Sequence, residues 1–298
     1  MKLKQIKGYL SLILVTTLWG SSFVSSKLVL EVIPPMALAS LRYLFSFLVL
    51  FIFFLVFEKD KVLRKSDYLD LALSSGVGIF IYFIGEYNAL TYISASTASI
   101  IVSLLPIFML ITNFLVFKEQ VTLTKIILIA LTLVGVSVVV QADLLVLFEE
   151  SVIGYSLMLM GVLAWVVFSI STVRLRRNNS NLKVITYQAG FALLLFLPFG
   201  VANISKYSLL MTNDWLNILY LGIFASGLAF YLYVYALKSL GTLPAAIFGN
   251  LVPVVTIISG YIFLNERLTP LQISGGGLII VVLMIYANLQ NNNKEQTL

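Results

Sequence analysis

The chain has 298 residues, 60% of them hydrophobic and only 11% charged, with a net charge of +6 and a mean hydropathy of +1.02. Soluble domains carry roughly 25% charged residues, so water is not the main solvent of this chain, and its basic residues fall in separate short gaps rather than one stripe, which argues against nucleic acid as a partner. There is no Cys and no His, which excludes thiol nucleophiles, disulfides, imidazole bases and the usual zinc and haem ligands, so no catalytic residue, metal or cofactor is expected.

The first apolar run follows a head bearing Lys2, Lys4 and Lys7 and is shaped like a signal peptide, but it has no A-x-A cleavage pattern and many similar runs follow. It reads as a retained first span. Runs of about twenty residues, the length a helix needs to cross ~30 Å of hydrocarbon, predict ten spans near 9–29, 34–57, 68–90, 95–117, 122–142, 152–173, 183–203, 215–237, 243–264 and 270–289. The fold class expected is all-α, a polytopic protein whose main partner is the lipid bilayer.

Cytoplasmic loops carry an excess of Lys and Arg. With the amino terminus inside, fifteen of the nineteen basic residues fall on the inner side, from Lys2 to Lys294. Lys27, Lys206 and Arg267 fall outside, and Arg42 within a span. A nine- or eleven-span reading scrambles this bias. The expectation is a multi-pass protein of a bacterial inner membrane with both termini cytoplasmic.

The two halves resemble each other at a nearly constant offset. Pro106 and Glu119 in "ASIIVSLLPIFMLITNFLVFKEQVT" match Pro253 and Glu266 in "AAIFGNLVPVVTIISGYIFLNERLT" at 147 residues, and Thr122 matches Thr269 likewise. Phe83, Ala89 and Leu90 match Phe230, Ala236 and Leu237 at the same offset, and Trp19 matches Trp165 at 146. This predicts two repeats, residues 1–147 and 148–298. Five spans per repeat is an odd number, so the second copy enters the membrane from the opposite side. Inverted repeats of this kind are a recurring transporter architecture, with substrate held between the copies near the bilayer midplane.

These residues resemble the drug/metabolite transporter superfamily, specifically its EamA-type members with two five-helix repeats. The resemblance is carried by "LWGSSFVSSK", "LRYLFSF", "ALTYISASTASIIVSLLPIF" and the glutamates of "FKEQVT" and "LNERLT", and it spans nearly the whole chain. It implies export or facilitated passage of amino acids, related metabolites or toxic compounds through a cavity lined by spans 1 to 4 and 6 to 9, with spans 5 and 10 at the back. Two positions depart from repeat symmetry: Val166 follows Trp165 where Gly20 follows Trp19, and span 7 has Gln188 where span 2 has Arg42.

Arg42 and Glu86 are the clearest ionisable residues inside spans, where a central charge costs roughly 2.5 to 3.5 kcal/mol. They fall about eight and four residues below the outer ends of spans 2 and 3, roughly 12 and 6 Å at helical rise, close enough to meet. Two readings stand: a polar substrate site in which Arg42 meets an acid and Glu86 meets an amine or carries a proton, or a structural ion pair between helices. Trp19, Trp165, Tyr82, Tyr187, Tyr231 and Tyr235 could wall a cavity or anchor the bilayer interface. Ser22, Ser99, Ser103, Asn113, Ser169 and Asn250 could hydrogen-bond substrate or join helices. The expected cavity set is Trp19, Arg42, Tyr82, Glu86, Ser99, Trp165, Tyr187, Gln188, Tyr235 and Asn250. Pro106 and Pro253, near the middles of spans 4 and 9, are read as kinks that serve as hinges or fix a static bend. Glu119 and Glu266 read as structural residues at span ends. The triplet Gly275, Gly276 and Gly277 reads as a helix-packing surface, open to a homodimer contact.

The function expected is secondary transport of amino acids or related small metabolites by alternating access, with proton coupling at Glu86. A carrier of drug-like or lipid-linked compounds and a non-transporting structural membrane protein are the alternatives. No Walker A sequence is present, so uphill transport needs an ion gradient or a partner.

Overall fold

A computed structural model describes residues 3–93, 95–140, 151–264 and 268–295; the side chains at 95–97, 99, 263–264 and 290–295 lie outside the description. Glu266 therefore lies outside the described residues. The described residues are helical apart from short turns and connections. Ten of the helices are long and apolar enough to cross a membrane: Leu3–Leu30, Pro35–Phe57, Lys65–Ala89, Ile100–Phe117, Leu123–Val140, Val152–Leu175, Asn181–Ala202, Thr212–Leu240, Thr242–Ile262 and Pro270–Leu289, called spans 1 to 10. All ten predicted spans are present.

Helix ends follow from local chemistry more than from hydropathy. Span 1 is helical from Leu3, the first described residue, ahead of its apolar run, because a helical turn bearing Lys4 and Lys7 can be solvated outside the hydrocarbon. Ser151 and Ser180 cap spans 6 and 7 by accepting the amides of Ile153 and Lys183 at 3.2 and 3.0 Å. Thr269 and Gln272 form a reciprocal capping box, at 3.0 and 3.2 Å, that starts span 10. Its repeat counterpart, Thr122, accepts the Lys125 amide at 3.4 Å ahead of span 5. The chain reverses between spans 8 and 9 at Gly241, whose φ of +97° suits a residue without a Cβ.

Irregularities of the first five spans recur in the second five. Leu73–Ile81 of span 3 and Tyr220–Leu228 of span 8 are both π-helical, and each bound of one lies 147 residues from that of the other. Spans 4 and 9 are each split into two half-helices, Ala95–Val102 with Leu105–Phe117 and Thr242–Gly249 with Val252–Leu264, again 147 residues apart at every bound. The breaks fall at Ser103–Leu104 and Asn250–Leu251 rather than at the prolines. Pro106 and Pro253 each occupy the second position of the following half-helix, where a missing N–H leaves no hydrogen bond unmade.

Small residues set the closest helix approaches. A Cβ on Gly85 of span 3 would lie 2.6 Å from the Leu157 carbonyl oxygen and 3.0 Å from the Gly161 nitrogen of span 6. Gly78, one to two turns earlier, lies under Phe168 in the same way, 2.5 Å from its Cβ. Span 3 is thereby seated on span 6, which puts Tyr82 and Glu86 beside Trp165. Spans 5 and 10 pack on each other through Gly135 and Gly275, where an added Cβ would stand 2.7 Å from the Val139 nitrogen. Gly276 faces Val254 and Gly277 faces open space, so the first two glycines of the triplet serve contacts within the chain.

Candidate functional site

Between spans 1, 2, 3, 4, 6, 8 and 9 lies a cavity with about 690 Å³ of unfilled space, part of it open to the outside. It is lined by Trp19, Ser22, Phe23, Arg42, Tyr82, Phe83, Glu86, Val102, Leu105, Val162, Trp165, Phe230, Gly249 and Val252. Most of these lie in the halves of their spans distant from the chain termini: Glu86 is three residues from the end of span 3 at Ala89, and Arg42 seven from the start of span 2 at Pro35. The breaks in spans 4 and 9 open directly onto it, through Val102 and Leu105 on one side and Gly249 and Val252 on the other. Neither span 5 nor span 10 contributes a lining residue.

Arg42 is buried, with 4% of its surface exposed. Its Nε donates to the Ser226 hydroxyl at 2.5 Å, its Nη1 donates to the Tyr87 hydroxyl at 3.0 Å, and its guanidinium carbon stands 4.9 Å from the centre of the Phe83 ring. Neutral hydroxyls and a ring face orient the cation without cancelling its charge. Among the described residues the ion pairs are Arg174 with Asp70 at 3.7 Å and Lys183 with Asp60 at 2.8 Å, so Arg42 and Glu86 do not form the direct pair that their depth in the sequence allowed. Both instead line one cavity, where Glu86 has the Tyr82 hydroxyl as its hydrogen-bonding neighbour. The sequence offered no signal for this because Ser226 lies 184 residues from Arg42.

The aromatic wall is continuous. The rings of Trp19 and Trp165 meet edge to face at 5.2 Å, and Phe230 lies 5.7 and 5.6 Å from them. Trp19 donates its indole N–H to the Ala225 carbonyl at 3.0 Å, and Trp165 donates to the Tyr233 hydroxyl at 3.2 Å, which also bonds Ser169 at 3.1 Å. The π-helical stretch of span 8 thus supplies both the acceptor that fixes Trp19 and the hydroxyl that holds Arg42. π-helical turns are rare and are frequent at functional sites.

Of the residues expected to line the cavity, the structure brings together Trp19, Arg42, Tyr82, Glu86 and Trp165. Four others lie elsewhere. Gln188 is buried in span 7, donating to the Thr172 hydroxyl at 2.8 Å. Tyr187 donates to the Lys61 carbonyl at 2.7 Å. Asn250 occupies the break in span 9 and donates to Thr132 of span 5 at 3.0 Å, and Tyr235 is half-buried outside the lining. The Ser99 side chain lies outside the described residues. Tyr87 and Ser226 were not singled out, because nothing local distinguishes them from other aromatic and small residues of the spans, and Phe83 and Phe230 were noted only as a repeat-matched pair. Glu119 does sit at a span end, accepting from Asn113, whose carbonyl oxygen accepts from Thr242 at 2.7 Å.

At the end of the bundle that carries the termini, the segment between spans 2 and 3 is tied to the hairpin between spans 6 and 7. Ser180 donates to Glu58, Lys183 pairs with Asp60, Asn179 donates to Asp67 at 2.8 Å and Tyr187 reaches Lys61. Leu63, Leu71, Leu175 and Val184 form a small apolar cluster beneath them. The hydrogen bond from Lys183 holds the Asp60 carboxyl below its ordinary range. At the opposite end, the side-chain hydrogen bonds of the 203–211 segment among the described residues stay within that segment and its adjoining helices, such as Tyr207 to the Gly200 carbonyl at 3.0 Å. Among the described residues, the end that carries the termini is thus latched by polar contacts between loops and helix ends of the two halves.

Comparison with known proteins supplies the family. The EamA-like transporter family matches the chain twice, over residues 6–141 and 152–287. A Bacillus subtilis protein described as an uncharacterised transporter is 28% identical over 290 residues, covering 94% of this chain and 88% of its own length. Proteins of Escherichia coli and Salmonella typhimurium, each described as a probable amino-acid metabolite efflux pump, are 30% and 29% identical, with 93% of both chains covered in each case. A solved crystal structure superimposes with a TM-score of 0.77 over 96% of this chain and 98% of its own at 18% identity, which shows a shared fold. The chain is a multi-pass membrane protein and belongs to the EamA-like transporter family.

Proposed function

We propose that the chain is a secondary transporter that exports amino acids or related small metabolites by alternating access, with residues 1–147 and 148–298 as inverted halves around the cavity. The observation that carries this reading is the pairing of an uncancelled Arg42 with Glu86 across one aromatic-walled cavity. A guanidinium suits a carboxylate, a carboxylate suits an ammonium, and the rings of Trp19, Trp165 and Phe230 suit an apolar or aromatic side chain. The efflux-pump descriptions of the enteric relatives agree with that chemistry. Both termini are cytoplasmic in this reading, which makes the latched end the inner gate. Pro106 and Pro253 follow the hinges, and Glu86 carries the coupled proton.

The test is uptake of a radiolabelled amino acid and metabolite panel into proteoliposomes, with and without a pH gradient, for wild type and Glu86→Gln. Saturable uptake of a zwitterion whose response to the gradient is lost in the variant is the expected result. Retained gradient response in Glu86→Gln removes the proton from Glu86, and saturable uptake confined to non-zwitterions overturns the substrate class.

A further inference from the structure

A second space, with about 950 Å³ unfilled, lies apart from the central cavity, between spans 2, 7 and 8. Its walls are almost wholly apolar, with Leu50, Phe53, Phe57, Ile223 and Leu228 among them and Tyr231 as the polar exception. Phe53, Phe57 and Leu228 are 50%, 66% and 39% exposed, so this is a groove on the face turned to lipid rather than a sealed void. Phe57 closes span 2 and lies at the end of the bundle that carries the termini.

Beside that end of the groove stands a cluster of positive charge. Arg176, Lys238 and Lys4, from the hairpin after span 6, from span 8 and from span 1, are electrostatic neighbours. Arg176 also neighbours Tyr231, which lines the groove, and Glu58, whose carboxylate accepts from Ser180. The Arg176 side chain donates through Nη1 to the Asn179 carbonyl, is only 8% exposed, and leaves its buried Nε without an acceptor. No carboxylate stands within ion-pair distance of it among the described residues. A buried guanidinium donor without an acceptor is costly, and three neighbouring cations, of which Arg176 has Glu58 beside it, favour an anion.

We propose that the groove binds one anionic phospholipid of the adjacent leaflet, with an acyl chain between spans 2, 7 and 8 and the phosphate drawn to Lys4, Arg176 and Lys238. An amphiphile fits both halves of the observation, since the apolar slot and the basic cluster adjoin through Tyr231. Basic pockets between membrane helices bind anionic headgroups on the cytoplasmic side of membranes. The proposal needs only that the chain lies in a bilayer and does not depend on the transported substrate.

The test is native mass spectrometry of the full-length protein in detergent, titrated with dioleoylphosphatidylglycerol or dioleoylphosphatidylcholine. Two variants change exposed positions and so leave folding intact: the double variant Lys4→Gln with Lys238→Gln, and Leu228→Trp, which fills the groove. The expected result is at least tenfold tighter retention of dioleoylphosphatidylglycerol, lost by at least fivefold in the double variant, with both lipids weakened in Leu228→Trp. Equal retention of the two lipids overturns the proposal, and if Leu228→Trp then weakens both, the groove is an apolar portal without headgroup recognition. Unchanged phosphatidylglycerol retention in Leu228→Trp also overturns it, by assigning the preference to diffuse surface charge.

Discussion

Trp19 and Trp165, 146 residues apart in the chain, meet edge to face at 5.2 Å. In the proposed arrangement of inverted halves, a residue touches its own repeat counterpart only close to the axis that relates the two copies, and this contact then marks where the halves converge. The indoles are then held differently, one by a backbone carbonyl of span 8 and the other by the Tyr233 hydroxyl. Symmetry sets their positions and asymmetry sets their partners.

The Arg42 site predicts a charge-conserving failure. Lysine keeps the cation but lacks the planar fork that reaches Ser226 and Tyr87 together. Hydrogen bonds to charged groups contribute about 1.5–3 kcal/mol, so Arg42→Lys should raise the transport KM by roughly tenfold or more, and Ser226→Ala by less. An unchanged KM in Arg42→Lys, measured in proteoliposomes, would make Arg42 a helix-packing residue.

Seating of span 3 on span 6 predicts a sharp contrast between two glycines. Gly85→Ala places a methyl against the Leu157 backbone, which no rotamer change can relieve, whereas Gly76 has nothing within 4 Å of an added Cβ. Overpacking costs typically 1–3 kcal/mol. Thermal unfolding of the detergent-solubilised protein should show a lowered Tm for Gly85→Ala and little change for Gly76→Ala. Equal Tm values would mean that the two spans are less closely seated than the backbone contact requires.

The latch predicts a gate that opens when one ion pair is removed. A single cysteine in place of Ser169, which is fully buried beside Tyr233, should react several-fold faster with a thiol reagent applied from the end of the termini once Asp60→Asn is added. The acid dependence has a definite sign. Asp60 is held below its ordinary range by the Lys183 hydrogen bond, so its contribution is complete above the ordinary carboxylate range and is lost as pH falls through the lowered value. Reactivity in the parent, divided by the thiolate fraction of the cysteine at each pH, should therefore be flat from neutral pH into mild acid and rise in stronger acid, and Asp60→Asn should abolish that step. A step that survives in Asp60→Asn would assign it to another carboxylate.

The spans were legible because the bilayer imposes a length and a composition on any helix that crosses it. The repeat was read from Pro, Glu and Thr at an offset of 147 and Trp at 146, and the π-helical stretches and broken spans recur at 147 as well. The π-helical stretches themselves were not legible, since "LSSGVGIFI" and "YLGIFASGL" are rich in small residues without any pattern that specifies wider turns. Gln188 and Asn250 were misplaced for an instructive reason. Gln188 takes the repeat position of Arg42 but spends its amide on Thr172, and Asn250, polar and next to two lining residues, spends its own on Thr132 of span 5. A polar side chain in a span is compelled to find a partner, and sequence does not say whether that partner is a helix or a solute.

The wide turns at Leu73–Ile81 and Tyr220–Leu228 have a consequence for phase. Each stores additional chain length inside an otherwise α-helical rod, so whatever follows is rotated about the rod relative to an uninterrupted helix. Successive residues of an α-helix differ by about 100°. Tightening Leu73–Ile81 to a regular α-helix with no residue removed would therefore turn Tyr82 and Glu86 by about that angle for each extra residue the stretch absorbs, carrying the carboxylate off the cavity with every contacting residue unmutated, whereas deleting one residue as the stretch tightens would largely restore their phase. The azimuth of Glu86 is set by a winding defect several residues upstream of it.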